Sequence, residues 1–207
     1  AVGHNALADG GGIRGNRTAI GAGALRYSSG GDNVALGAGA GTGSAPTTAE
    51  NSVFIGYSSG NTITTGNNNI FMGYQAGDAT TTGSDNILLG YDIDTSASGA
   101  SNELNIGNTI YGDLANDNVA IGSTASAIGA NSFAIGSGAA ASNSSIAMGR
   151  DSTASGSESM ALSAFSTASG NNSLALMGDA TASGAIAMAV GPNTTSSGYN
   201  SMTFGNA

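Results

Sequence analysis

NSSIAMGRDSTASGSESMALSAFSTASGNNSLALMGDATASG, residues 143–184, states one phrase three times. Each statement runs apolar, small, apolar, then a polar turn, then a second segment ending in TASG. Working outward, the first half of the phrase recurs along the chain as apolar–X–apolar–Gly. It is TAIG at 18–21, VALG at 34–37, VFIG at 53–56, IFMG at 70–73, ILLG at 87–90, LNIG at 104–107, VAIG at 119–122, FAIG at 133–136 and IAMG at 146–149. Looser copies follow as MALS at 160–163, LALM at 174–177, IAMA at 186–189 and MTFG at 202–205. Self-similarity at a short period means one structural unit stacked on copies of itself, so the expected fold is an all-β solenoid or fibre.

Composition agrees. The 207 residues include 35 glycines, two prolines, no cysteine and no tryptophan, and only 8% of them are charged. Ordinary globular domains carry about three times that share of charge and larger apolar residues. The net charge of −9 excludes a nucleic-acid backbone as the main partner, because phosphate binding needs clustered Lys and Arg. Arg14, Arg17 and Arg26 do lie near the start, but Asp9 and Asp32 flank them, which reads as a solvated edge. No apolar run approaches the roughly 20 residues that cross a bilayer, so no direct membrane insertion is expected of this segment. Disulfides are impossible, and AVGHNAL at the start reads as the middle of a repeat.

Spacing divides the chain. Anchor glycines at 21, 37, 56, 73, 90 and 107 lie 16–19 residues apart, whereas from Gly122 through Gly136, Gly149, Ser163, Met177 and Ala189 the steps are 12–14. The change falls around YGDLANDN at 111–118, giving a long-repeat segment at 1–112 and a short-repeat segment at 113–207. With strands about 4.8 Å apart, some thirteen coils would make a rod on the order of 60 Å long.

Each coil reads as two short strands and two turns. Strand side chains alternate between faces, and the triplet is taken as in, out, in. The outward middle residue is then Phe54, Phe71 or Leu88 in the long repeats and Ala120, Ala134, Ala147, Ala161, Ala175 or Ala187 in the short ones. A strand apolar on both faces must be covered on both. Phe54, Phe71, Leu88, Ala120, Ala134 and Ala147 are therefore the expected intersubunit packing residues of a closed homo-oligomer. In the second strand Ser152 and Ala154 face in, leaving Thr153/Ser155, Thr167/Ser169, Thr181/Ser183 and Thr195/Ser197 as outward hydroxyl columns, with Thr62/Thr64 and Thr80/Thr82 upstream. Those columns are the candidate ligand-facing surface. Asn131, Ser132, Asn172, Ser173, Asn200 and Ser201, just before triplets, suit turns and polar ladders.

Catalytic constellations are missing from this pattern. His4 is the sole histidine, so nucleophile–histidine–acid chemistry has no support, and no enzyme and no cofactor are expected. Asp92 with Asp94, and Asp113 with Asp117, match no calcium-loop spacing and read as turn carboxylates; no metal site is expected. GAGAGTG at 37–43 is glycine-rich like a phosphate-cradling loop, but the chain has no lysine to complete one. Tyr57, Tyr74 and Tyr91 follow anchor glycines at a 17-residue period and form a column that either meets glycan faces or, more commonly for aromatics, packs at a seam.

NSFAIGSGAAA at 131–141, NSSIAMGRDSTASG at 143–156 and NSLALMGDATASG at 172–184 resemble the head repeats of trimeric autotransporter adhesins. NNNIFMGYQAGDATTTGSDNILLGYD at 67–92 and NELNIGNTIYGDL at 102–114 are similar to repeats of bacteriophage tail fibres and mosaic trimeric fibres. The resemblance implies a left-handed parallel β-roll, assembled as a homotrimer. It further implies a non-enzymatic extracellular fibre on a bacterial cell surface, or alternatively on a virion tail, attaching to host cell-surface or matrix molecules, glycans among them. Ser163, Met177 and Ala189 depart from the family's anchor glycine. Two other readings remain open: a pure spacer filament, and an ice-binding β-solenoid, to which the Thr-X-Ser columns are similar.

Overall fold

The computed structural model describes residues 1–8, 15–44 and 46–205, and these contain no helix. The chain forms a parallel β-solenoid of stacked coils that divides into two compact units, Ala1–Asn108 and Thr109–Ala207. The division lies at Asn108/Thr109, where spacing placed it at 112/113. Of the four intervening residues, Ile110, Tyr111 and Gly112 belong to a strand that folds back on its successor in the second unit.

In the first unit each coil contributes one strand: β1 Thr18–Ile20, β2 Val34–Leu36, β3 Val53–Ile55, β4 Ile70–Met72, β5 Ile87–Leu89 and β6 Glu103–Ile106. They pair in sequence order, parallel, triplet on triplet, so that Phe54 lies beside Phe71 and Phe71 beside Leu88. The opposite leg forms no second strand; it is held by hydrogen bonds between coils, such as the Thr48 and Thr64 amides donating to the carbonyls of Thr64 and Thr81 (both 2.7 Å).

The second unit opens with β7 Ile110–Asp113, paired antiparallel with β8 Asn118–Ile121. From there the coils have two strands each. One sheet continues through β10 Phe133–Ile135, β12 Ile146–Met148, β14 Met160–Leu162, β16 Leu174–Leu176, β18 Met188–Val190 and β20 Met202–Phe204. The other sheet holds β9 Ser126–Ile128, β11 Ala140–Ser142, β13 Thr153–Ala154, β15 Thr167–Ala168, β17 Thr181–Ala182 and β19 Thr195–Ser196. The strand expected at IAMA 186–189 is two residues late: Met188-Ala189-Val190 is the triplet, Gly191 is its anchor and Ala187 is buried before it. From Gly149 the anchors then run 163, 177, 191 and 205, a uniform step of 14.

The phase of the triplet is the reverse of that expected. Ala19, Ala35, Phe54, Phe71, Leu88 and, in the second unit, Ala120, Ala134, Ala147, Ala161, Ala175 and Ala189 are buried inside their own roll, and the flanking residues face outward. Phe54, Phe71, Leu88, Ala120, Ala134 and Ala147 are therefore core, not intersubunit residues. The physical reason is width: the buried apolar cluster of the second unit consists entirely of alanines, so its two sheets leave room for a methyl and no more. The longer coils of the first unit are wider only where glycine clears the way. A Cβ on Gly41 would meet the Phe54 ring at 2.6 Å, one on Gly60 would strike the same ring, and one on Gly77 would strike the Phe71 ring. Phe54 and Phe71 fill that width edge to face, centroids 5.8 Å apart. The column ends in a polar plug, where Asn105 donates to Asn108 (3.0 Å) and accepts the Asn108 amide in return (3.0 Å).

Three left-handed positions recur from coil to coil and make the turns, and in the first unit a fourth lies four residues past the anchor, at Leu7, Leu25, Gly41, Gly60 and Gly77. At the anchor, Gly136 has φ 127° and a Cβ there would meet the next anchor's carbonyl oxygen at 2.6 Å, so successive coils approach too closely for a side chain. Two residues past the anchor, and again two before the triplet, the chain adopts φ near 55°. The latter corner is filled by Asp32, Asn51, Asn68, Asp85, Asn102, Asp117, Asn131, Asn172 and Asn200, residue types that tolerate this region. Buried asparagines beside it form the expected ladder: Asn69 donates to the Gly83 carbonyl (2.8 Å) while its Oδ1 accepts from the Asn86 amide (3.0 Å).

Ile186 occupies the same corner at φ 58°, an unfavourable place for a β-branched residue. Ile186→Asn should raise stability by about 1–2 kcal/mol in urea denaturation. Phe71→Asp places a charge in the interior and should unfold the first unit; circular dichroism checks this, and a fully folded variant would contradict the assigned phase.

Candidate functional surfaces

The outward half of the triplets is the largest chemical feature of each unit. In the first, Ile20, Val34, Leu36, Val53, Ile55, Ile70, Met72, Ile87, Leu89, Leu104 and Ile106 stand on the outer side of one parallel sheet, with Thr18 the polar exception. In the second, β8 and every second strand to β20 present Val, Ile, Phe, Met or Leu at both flanking positions. These side chains are half-buried to exposed, and Ile20, Leu36, Met148, Met202 and Phe204 are exposed outright. Monomers seldom display contiguous apolar patches beyond a few hundred Å². The signal was present in the sequence as side-chain size, since the flanking positions are large in every repeat except at Thr18, while the middle ones are alanine in every short coil but the last, which has Thr203.

The second surface is the hydroxyl face of the second unit. Thr153, Thr167, Thr181 and Thr195 stack in register. They point away from buried Ala154, Ala168, Ala182 and Ser196, and Ser155, Ser169 and Ser183 lie exposed beside them. The upstream threonines do not extend this face. The hydroxyls of Thr62 and Thr64 donate to carbonyls of the following coil, at 3.0 Å to Thr80 and 2.8 Å to Thr81, and Thr80 is buried against Thr95 (2.9 Å). Their oxygens serve the ladder, because the first unit has no second sheet to do so.

The third is the tyrosine column. Tyr57, Tyr74 and Tyr91 stack nearly parallel, with centroids 5.4 and 5.1 Å apart and interplanar angles of 15° and 9°. They remain 55%, 43% and 73% exposed, through edges and hydroxyls, so the rings cover one another's inner faces and only the two terminal faces are open.

The remaining candidates are dispersed. His4 is exposed. Asp113 caps its own turn through the Ala115 amide (3.0 Å) and Asn116 (2.7 Å), and Asp92 and Asp117 sit at left-handed corners. Among the described residues no group of three or more acidic, His or Cys side chains is placed to hold a metal ion. Gly37, Gly39, Gly41 and Gly43 all have positive φ, which makes GAGAGTG a coil of corners. Arg17 donates to the Ser28 carbonyl and Arg26 lies over the Tyr27 ring (4.9 Å), while Arg14 and Asp9 fall outside the described residues. No protein-family model matches the chain, and no curated protein matches it.

Asp94 carries a perturbed carboxyl. Desolvation raises its pKa above the ordinary 3.8; the Ala79 amide (2.9 Å) opposes this and the nearby charges of Asp78 and Asp92 reinforce it. The folded state therefore holds this proton more tightly than the unfolded one, and stability falls as pH rises from below 3.8 through the raised value. Asp94→Asn should stabilise the first unit at pH 7, with the gain vanishing below pH 3.8 in melts across that range.

Proposed function

We propose that this chain is a non-enzymatic segment of a homotrimeric extracellular fibre, in which three copies bury their outer aliphatic columns against one another and present the remaining faces to host cell-surface or matrix molecules. The observation that carries the proposal is the column of large apolar residues, Thr18 excepted, on the outer side of each unit's main sheet. A buried methyl contributes only about 0.8 kcal/mol, and the coils of the second unit bury alanines while their large apolar side chains stand outside. Burying the outer columns in a closed, symmetric contact removes that surface from water without leaving a sticky edge. The resemblance of NSSIAMGRDSTASG and its relatives to the left-handed β-roll heads of trimeric autotransporter adhesins supports the same reading, and that of 67–92 to bacteriophage tail-fibre repeats supports the virion variant of it. Attachment would then be multivalent: three identical chains repeat each weak contact along the stack, and linked weak contacts sum to tight binding.

Sedimentation equilibrium tests the assembly. The expected mass is three times 19.8 kDa. Ile70→Asp combined with Leu174→Asp, one change in each unit's outer columns, should yield a folded chain of single mass, in contrast to the unfolding expected of Phe71→Asp. A wild-type monomer would overturn the proposal and favour a solenoid that acts alone through its threonine face.

A further inference from the structure

We propose that Tyr57, Tyr74 and Tyr91 form an oxidative cross-linking site, at which a one-electron oxidant of the peroxidase or photosensitiser class joins neighbouring coils through dityrosine. The chain has no cysteine, so disulfide staples are closed to it. The stacked tyrosines are the one place among the described residues where two oxidisable aromatic rings touch each other in the open. Mutual stacking leaves only the terminal faces for a flat ligand, yet the phenol hydroxyls and ring edges face solvent, where an oxidant reaches them. Ring contact at 5.1–5.4 Å puts the carbons ortho to the hydroxyls within a side-chain rotation of each other. Exposed side chains make such rotations in picoseconds to nanoseconds.

Each of two phenols gives one electron to the oxidant and one proton to water, leaving two tyrosyl radicals. These couple by a carbon–carbon bond between ortho positions, and the two displaced ring hydrogens return to the phenolic oxygens as the rings regain aromaticity. The product is lighter by two hydrogen atoms per link, and the oxidant has accepted two electrons. Each link closes a 17-residue loop, Tyr57 to Tyr74 or Tyr74 to Tyr91.

The other tyrosines supply controls. Tyr27 has the Arg26 guanidinium over its ring, Tyr111 packs against the alanine core, and Tyr199 is exposed at a distant coil. The test treats the intact protein, in its solution assembly, with peroxidase and hydrogen peroxide beside free tyrosine as a positive control. It reads dityrosine fluorescence, denaturing gels and cross-linked peptides by mass spectrometry. The expected product is a chain of unchanged gel mobility, lighter by two hydrogens, with Tyr74 joined to Tyr57 or Tyr91. Tyr74→Phe keeps the stack but lacks the central phenol, and should lose most of the chain-internal signal; Tyr199→Phe should keep it. Undiminished fluorescence in Tyr74→Phe, links found only between chains, or no dityrosine in the protein while free tyrosine couples would each overturn the assignment.

Discussion

The constraint on which the rest of the structure depends is the narrowness of the roll. In the second unit the buried apolar side chains are alanines without exception, and the polar ones beside them are serine, threonine and asparagine. A space that admits a methyl cannot admit isoleucine, so the large side chains of each triplet stand outside and the small one inside. This inverts the usual pattern, in which the bulkiest residues define the core. It also gives the backbone an unusual share of the cohesion: within each unit, successive described coils are hydrogen-bonded to one another, and hydroxyls and amides are recruited where strands are absent.

Close stacking sets the corners. Where one anchor's carbonyl occupies the space a Cβ would need on the previous one, glycine is the natural residue, and the two further left-handed positions select Asn, Asp and Gly. Ser163 and Met177 depart from glycine at the anchor, at φ 141° and 90°, and Ser58, Gln75, Thr124, Ser144, Glu158, Phe165 and Ile186 occupy the other two positions at φ 52–60°. Phe165 has the Arg150 guanidinium 4.5 Å above its ring, which offsets part of the strain; nothing in the structure accounts for Met177.

The repeat, the all-β class and the change of coil length were legible from the recurrence of apolar–X–apolar–Gly alone. So was the orientation of Thr153 and Ala154, because a small residue alternating with a hydroxyl leaves little choice of face. The phase of the triplet was not legible there, because alternation fixes only that neighbours differ, not which one faces in. Size decides it, and Phe54 and Phe71 obscured the size rule by being large residues in the inward column. Their fit depends on glycines 41, 60 and 77, which lie in other parts of the coil and carry no pattern readable next to the phenylalanines themselves. The loss of Thr62, Thr64 and Thr80 from the hydroxyl face has a similar origin: their partners are carbonyls or, for Thr80, the Thr95 hydroxyl one coil away, at separations of 15–18 residues.

The even step of 14 residues from Gly149 to Gly205 has an evolutionary consequence. Each coil there meets only the coil before and the coil after, so duplicating or excising a whole coil by recombination preserves every register at once. Loss of a single codon within a strand does the opposite, turning isoleucine toward a space sized for alanine. Lineages of such a chain can therefore drift in length by whole coils while remaining intolerant of the smallest internal deletions.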